Sequence, residues 1–393
     1  MGDDPAAARA NTASFIPDQE VPYSLTWTLS YQRQFLKDWS FEARYIGTRG
    51  VHLLTQNRLN SQPKASPAIG GLPTFFQEPS QAQLDALQLT LDDIDARSNY
   101  PAAYENAGFN SARVVGFLSN GNSTYHGGSA SLARRFSEGL QLNAAYTWSH
   151  LIDDTTAEVF STVLSPRRVQ DFQDLRPERA DSALDRRHRF TLGAIYELPF
   201  LRNHENRFVR TALGGWMLAG VYIAESGQRA TVLSGIDANL NGDAAPDRTI
   251  RNPSGVRNTA STVTALTNTG GQVVGYLADD PNAEYIQAGL GAIANSARNT
   301  LQLPGINNFD VSVFKNFNFG GEGRRRIQLR ADFFNAFNHP QYIPGSPNDV
   351  APIDTVGVGQ VNTVFAGNTD FNRPERVFSS NPRVIQLALR FDF

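Results

Sequence analysis

The chain has 393 residues, a net charge of −3 with both signs dispersed, and no cysteine. Disulfides and thiolate metal sites are therefore excluded, and no basic footprint marks a nucleic-acid partner. No apolar run approaches the ~18 residues a membrane-spanning helix needs, but a membrane strand announces itself by alternation and is not excluded.

Residues 1–22 read as an N-terminal loop, with Pro5 and Pro17 in a polar mixture. The opening run Met1, Gly2, Asp3, Asp4, Pro5 has neither the basic nor the apolar region of a signal peptide. Alternation begins at Tyr23. Tyr23, Leu25, Trp27, Leu29, Tyr31 and Phe35 share one face against Ser24, Thr26, Thr28, Ser30, Gln32 and Gln34. After a turn at Lys37 and Asp38, Trp39, Phe41, Ala43 and Tyr45 oppose Ser40, Glu42, Arg44 and Ile46, which makes a hairpin.

Residues 57–120 break the pattern. Within them Leu84, Leu87, Leu91 and Ile94 have helical spacing and predict one short amphipathic helix that packs the loop on the strand ends. A weaker, Gly-rich strand follows over 124–136, then a turn at Ser137, Glu138 and Gly139. Next Leu140, Leu142, Ala144, Tyr146 and Trp148 alternate with Gln141, Asn143, Ala145, Thr147 and Ser149. An irregular stretch rich in Asp and Arg covers 151–184. Phe190, Leu192, Ala194, Tyr196 and Leu198 mark a fifth strand, and 216–226 a sixth whose two faces are both apolar enough to leave its orientation open. The longest irregular region, 229–305, precedes Phe309, Val311, Val313, Phe317 and Phe319 on a seventh strand. Past Gly320 to Gly323, Ile327, Leu329, Ala331 and Phe333 form the eighth, and 339–381 is irregular again. The ninth carries Ile385, Leu387, Leu389, Phe391 and Phe393 on one face and Gln386, Ala388, Arg390 and Asp392 on the other.

The connections alternate short and long, short near 37, 138, 205 and 321 and long near 90, 165, 265 and 360. Short turns on one side and long loops on the other are the habit of outer-membrane barrels. Nine strands are an odd count for a barrel whose two ends lie in the periplasm, so the expectation is the C-terminal part of a longer barrel, since an open edge is not tolerated in lipid. Trp27, Trp39, Trp148, Tyr196, Phe319 and Phe391 lie near strand ends, as interfacial aromatic girdles require.

The strings YSLTWTLSYQRQ (23–34), YIGTRGVHL (45–53), AYTWSHLIDD (145–154), DRRHRF (185–190), ESGQ (225–228), LPGINNFD (303–310) and RADFFNAFNHP (330–340) follow in order. Together they resemble the C-terminal barrel portion of TonB-dependent outer-membrane receptors, in particular the Oar-like group. The resemblance implies about nine C-terminal strands of a barrel of about 22, closed by a plug. It also implies location in the outer membrane and energy from the TonB–ExbB–ExbD system through an N-terminal region. Phe393 at the end of the last strand resembles the aromatic signal read by the barrel-assembly machinery. The alternative is a cell-surface barrel that binds a ligand or polymer through its long loops without energised transport; a soluble β-sandwich is a third reading.

Catalysis is not expected. The chain has no nucleophile elbow, zinc helix or phosphate loop, and no cofactor is implied. His150 with Asp153 and Asp154, and His188 near Asp185, read as rim residues rather than an acid–base site. Arg44, Arg330, Asp332, Arg390 and Asp392 face inward, as a lumen network, a plug contact or a solvated wall. Asp237, Asn239, Asn241 and Gly242 place oxygen donors at positions 1, 3 and 5 with glycine at 6, but Arg248 stands at position 12, where an EF-hand has its bidentate Glu. The loop is either a Ca²⁺ loop or a set of solvated Asx turns.

Overall fold

The computed structural model describes residues 4–12, 14–155, 166, 168–201, 203–319, 325–342 and 362–393. Nine long strands dominate it: β1 Tyr23–Phe35, β2 Trp39–Arg58, β3 Val115–Ser137, β4 Leu140–Asp153, β5 His188–Glu197, β6 Trp216–Glu225, β7 Ile306–Phe319, β8 Arg325–Phe334 and β9 Val384–Asp392. Each pairs antiparallel with its neighbour in sequence, so the sheet is one uninterrupted meander from β1 to β9. Alternation dictates this outcome, because a strand slipped by one residue would turn its whole apolar set to the other face.

The register lines up like with like. Leu140, Tyr196, Leu218, Val313, Ala331 and Leu387 form one row across six strands. One step along, Gln141, Ile195, Ala219, Ser312, Asp332 and Gln386 form the next, on the opposite face. These rows settle the orientation of β6: Trp216, Leu218 and Tyr222 share the apolar face, and Met217, Val221 and Ile223 share the polar one.

No residue of the nine strands appears among the buried hydrophobic side chains of the described residues; all of those lie in the connections. The sheet leaves its apolar face uncovered, with Leu29, Leu387 and Leu389 each more than 70% exposed. A water-soluble sheet packs such a face against another layer. A sheet whose solvent on that side is hydrocarbon has no need to.

The strand ends fit that division. Among the girdle candidates, Trp27, Trp148, Tyr196 and Phe391 are exposed, and Trp39 is half-buried and stacks on Phe35 with ring centroids 6.3 Å apart. The side chain of Phe319 lies outside the described residues. Trp27 lies flat over Gly47, where a Cβ would collide with the indole. Tyr45 and Tyr146 each bring a hydroxyl 2.8 Å from the Nδ1 of His126 and His188 on the next strand. At the short-turn end the Lys315 ammonium, on the apolar face, donates to the Gly214 carbonyl and lies over the rings of Trp216 and Phe317. A cationic stem bent back to an interfacial partner is the usual way to keep lysine at a membrane edge.

Four expectations need correction. The strands at 39–46 and 124–136 run much further, to Arg58 and from Val115, so β2 and β3 project together beyond the rest of the sheet. The extension puts apolar residues on both faces, Leu53 beside Leu54 and Phe117 beside Leu118, among polar ones, so alternation does not reveal it. The single helix over 84–94 is two, Gln81–Asp85 and Leu91–Asp95, because Ser80 and Thr90 each adopt extended dihedrals and close a capping box. The N-terminal loop holds a helix, Pro5–Ala10, started by the Asp4 side chain and by proline at its first position. The connection near 205 carries a helix, Arg207–Leu213, capped by Asn206. The two-residue turn at Glu138 and Gly139 has positive φ at both positions, the type I′ form that suits strand twist and favours glycine second.

Candidate functional site: the loop assembly and the polar wall

The long connections fold into an assembly with its own cores. Val273–Ala278 pairs with Val263–Thr267 and Thr74–Phe75, and Ala283–Ile286 lies between Ile250–Arg251 and Val256–Ser261. One apolar cluster joins Val232, Leu233 and Tyr285 to Leu301, Phe365 and Phe378. A second joins Leu72 and Ile94 to Ile250, Tyr276 and Ile286. Burial also pushes the Tyr276 hydroxyl up to about 12 while it donates to the Leu290 carbonyl at 2.7 Å. Loops separated by long stretches of sequence are thereby fixed to one another.

A buried charge network ties this assembly to the sheet. Glu178, 2% exposed, accepts two hydrogen bonds from Arg248 Nη1, at 2.8 and 2.9 Å. Arg298 donates to the Glu178 carbonyl at 2.8 Å and to the Asp153 carboxylate at 2.7 Å, reaching the end of β4. Charges taken so far out of water persist only when paired this closely.

The histidine groups do not assemble into an acid–base site. His150 Nε2 lies 2.8 Å from Asp181, not near Asp153 or Asp154. Asp153 holds Arg298, and Asp154 accepts from the Asn122 amide at 2.9 Å. Asp185 accepts from the Leu151 amide at 2.8 Å and pairs with Arg187 at 3.2 Å, while His188 turns to Tyr146. The inward charges do form a network. Arg326 and Arg390 both hold Asp392, at 2.6 and 2.8 Å, and Arg330 holds Asp332 at 2.7 Å with Ser312 donating to the same carboxylate. Arg44 pairs with Glu42 at 2.6 Å.

The 237–247 loop is closed by its own side chains. Asp237 accepts from the amides of Asn241 at 3.0 Å and Gly242 at 2.8 Å, and Asn239 and Asn241 accept from the amides two residues ahead. Gly242 takes positive φ there, with the Arg113 guanidinium lying against it. Asp243 is engaged by Arg58 and Arg168, the latter also donating through Nη2 at 2.8 Å. Asp247 is fully buried; one oxygen accepts from the Asn239 amide at 3.1 Å and the other has no partner. Burial raises the carboxyls of Asp237 and, much further, Asp247 above the usual carboxylate range.

Among the described residues three polar-lined spaces are large enough for small ligands. A cavity of about 870 Å³ is lined by Gln62, Arg97, Asp171, Gln173, Asp174 and Arg176. Burial raises the Asp171 carboxyl, whereas hydrogen bonds from Arg176 pull that of Asp174 down to about 2. A second, about 450 Å³, lies where β2 and β3 project and is lined by Thr55, Asn57, Asn120, Asn122, Asp154 and Arg179. A third, about 430 Å³, runs along the inward wall past Asn143, Asp310, Ser312 and Arg330. All three offer amide, carboxylate and guanidinium groups on the polar side or in the loops, an arrangement for binding polar solutes rather than for bond-making chemistry. Sequence patterning did not mark Thr55, Asn57 or Asn120, which lie on the strand extension where alternation lapses.

The chain is similar in fold to several solved outer-membrane proteins. They include the outer-membrane transporter YddB from Escherichia coli (9% identity, TM-score 0.40, covering 97% of this chain and 34% of that one). The ferric preacinetobactin receptor BauA from Acinetobacter baumannii matches at 12% identity and TM-score 0.40, over 94% of this chain and 29% of its own. The pyoverdine receptor FpvA from Pseudomonas aeruginosa PAO1 matches at 8% and 0.40, over 95% and 30%. The chain therefore spans about a third or less of the length of these receptors. No curated protein matches it in sequence. The family model for an outer membrane beta barrel domain matches residues 2–386, nearly the whole chain. An all-β meander with its apolar face uncovered, long structured loops on one side and this family match lead to one conclusion: the chain belongs to the outer membrane β-barrel domain family and resides in the outer membrane.

Proposed function

We propose that the chain is the C-terminal part of the barrel of a TonB-dependent receptor of the Oar-like group, taking a polar solute across the outer membrane. Residues 23–393 supply wall and external loops, and residues 1–22 lead into them. The observation that carries this reading is that, among the described residues, every buried hydrophobic side chain lies in the connections and none on the nine strands. With it go two open edges: among the described residues β1 pairs only with β2, and β9 only with β8. Unpaired backbone along two edges is not tolerated in hydrocarbon, which supports further strands completing the wall. Energy then comes from TonB–ExbB–ExbD through an N-terminal region, and Phe393 at the end of β9 is the residue the barrel-assembly machinery reads.

The test is uptake by the full-length gene product in cells with and without TonB. Loss of uptake without TonB, at unchanged outer-membrane level, is the expected result. Ligand binding at the surface with uptake indifferent to TonB would overturn energised transport in favour of a surface-binding barrel.

A further inference from the structure

The wall and the cavities leave the 237–247 loop unexplained. Its carboxylates have different fates. Asp243 is neutralised by Arg58 and Arg168. Arg113 reaches past Gly242 to the Asn241 carbonyl at 2.8 Å. Asp237 spends each oxygen on one backbone amide, which leaves a lone pair on each, since a carboxylate oxygen accepts twice. Asp247 has one oxygen on the Asn239 amide, in the middle of the loop. Its other oxygen is buried beside that one and makes no well-formed hydrogen bond, the nearby Ala238 amide donating to the Ile236 carbonyl instead. Leaving a buried polar atom without a partner is costly, so in a loop closed by so many of its own hydrogen bonds it calls for an occupant.

The donor set identifies the occupant's chemistry. It holds two carboxylates and the side-chain oxygens of Asn239 and Asn241, with no imidazole or thiol, a hard all-oxygen set. Among the described residues no three carboxylate or imidazole groups gather as a metal cluster, so the site is a mixed one in which amide oxygens complete the shell. Ca²⁺ accepts such sets, with several oxygens and loose angles, whereas Mg²⁺ demands a tight octahedron. Asp247, at position 11, takes the closing role that Arg248 at position 12 cannot. We propose that this loop binds one Ca²⁺ through Asp237, Asn239, Asn241 and Asp247, and that the ion pins the loop beneath Arg58, Arg113 and Arg168. The assignment does not depend on what the protein transports.

The experiment is calorimetric titration of the chelator-treated full chain, folded in detergent, with CaCl₂ alone. One ion per chain is expected, with a dissociation constant of about 10⁻⁴–10⁻³ M, as in extracellular Ca²⁺ modules, and no displacement by equimolar Mg²⁺. Asp237→Asn should weaken binding at least tenfold and Asp92→Asn, exposed on the helix Leu91–Asp95 outside the loop, should leave it unchanged. Asn239→Asp should tighten it, because affinity follows ligand charge, and a gain cannot come from misfolding. No uptake by the unaltered chain at concentrations well above that range would overturn the assignment and leave Asp247 as a buried neutral acid. Uptake indifferent to both Asp237→Asn and Asn239→Asp would overturn it equally.

Discussion

Leu387→Arg separates a lipid-facing sheet from a water-facing one more sharply than any substitution in a packed core. Leu387 sits near the middle of β9, 78% exposed, in the apolar row that runs through Ala331, Val313, Leu218 and Tyr196 to Leu140. In water, replacing so exposed a leucine changes stability by no more than about 0.5 kcal/mol. In a bilayer an arginine near the midplane on a barrel's outer face costs about 2–4 kcal/mol, roughly a 30- to 900-fold shift in the folding equilibrium. The neighbouring Gln386→Arg points to the polar side, directly opposite Asp332, and should cost close to nothing. Urea unfolding of both variants in phospholipid vesicles, followed by tryptophan fluorescence, reads the difference. Equal stabilities within about 0.5 kcal/mol would refute the assignment of this face to lipid.

Other consequences follow from the loops and the girdle. Glu178→Ala leaves Arg248 buried without the carboxylate that holds it, while Arg298 keeps the carbonyl of residue 178 and Asp153, and removing one partner of such a buried pair costs about 3–5 kcal/mol; limited proteolysis should cut the 229–305 region at least tenfold faster while the strands stay protected. Gly47→Ala drives the Trp27 indole off its seat, costing about 1–3 kcal/mol by overpacking and changing the tryptophan near-UV circular dichroism. Truncation of Phe393 should lower the outer-membrane level of the full-length product without lowering its synthesis, measured by cell fractionation.

Much of the wall is written in the sequence. Period-two alternation places all nine strands, because lipid on one side and water on the other enforce it residue by residue. It fails where that demand lapses. The β2 and β3 extension past His52 and before Ser123 mixes apolar and polar residues on both faces, as Leu53, Leu54, Phe117 and Leu118 show, and β6 carries apolar residues on both, so only pairing resolves them. The loop assembly is hidden for another reason. Tyr285 and Phe378 share a core, and Glu178 meets Arg248 and Arg298, across 70 and 120 residues of chain; no local pattern foretells contacts at such range. The 237–247 loop is the intermediate case. Its donor spacing is visible in the sequence, but the burial of Asp247 that makes the spacing consequential is not.

The central claim, that the uncovered apolar face of the meander is a membrane surface, is open to one direct measurement. The chain has no cysteine, so single cysteines placed in turn from Ile385 to Phe391 report without background. In vesicles, a membrane-impermeant maleimide and a lipid-borne nitroxide read each position. Ile385, Leu387, Leu389 and Phe391 should be quenched from lipid and refuse the aqueous reagent, while Gln386, Ala388 and Arg390 do the reverse. Uniform aqueous labelling along β9, or reactivity without a two-residue period, would contradict the account.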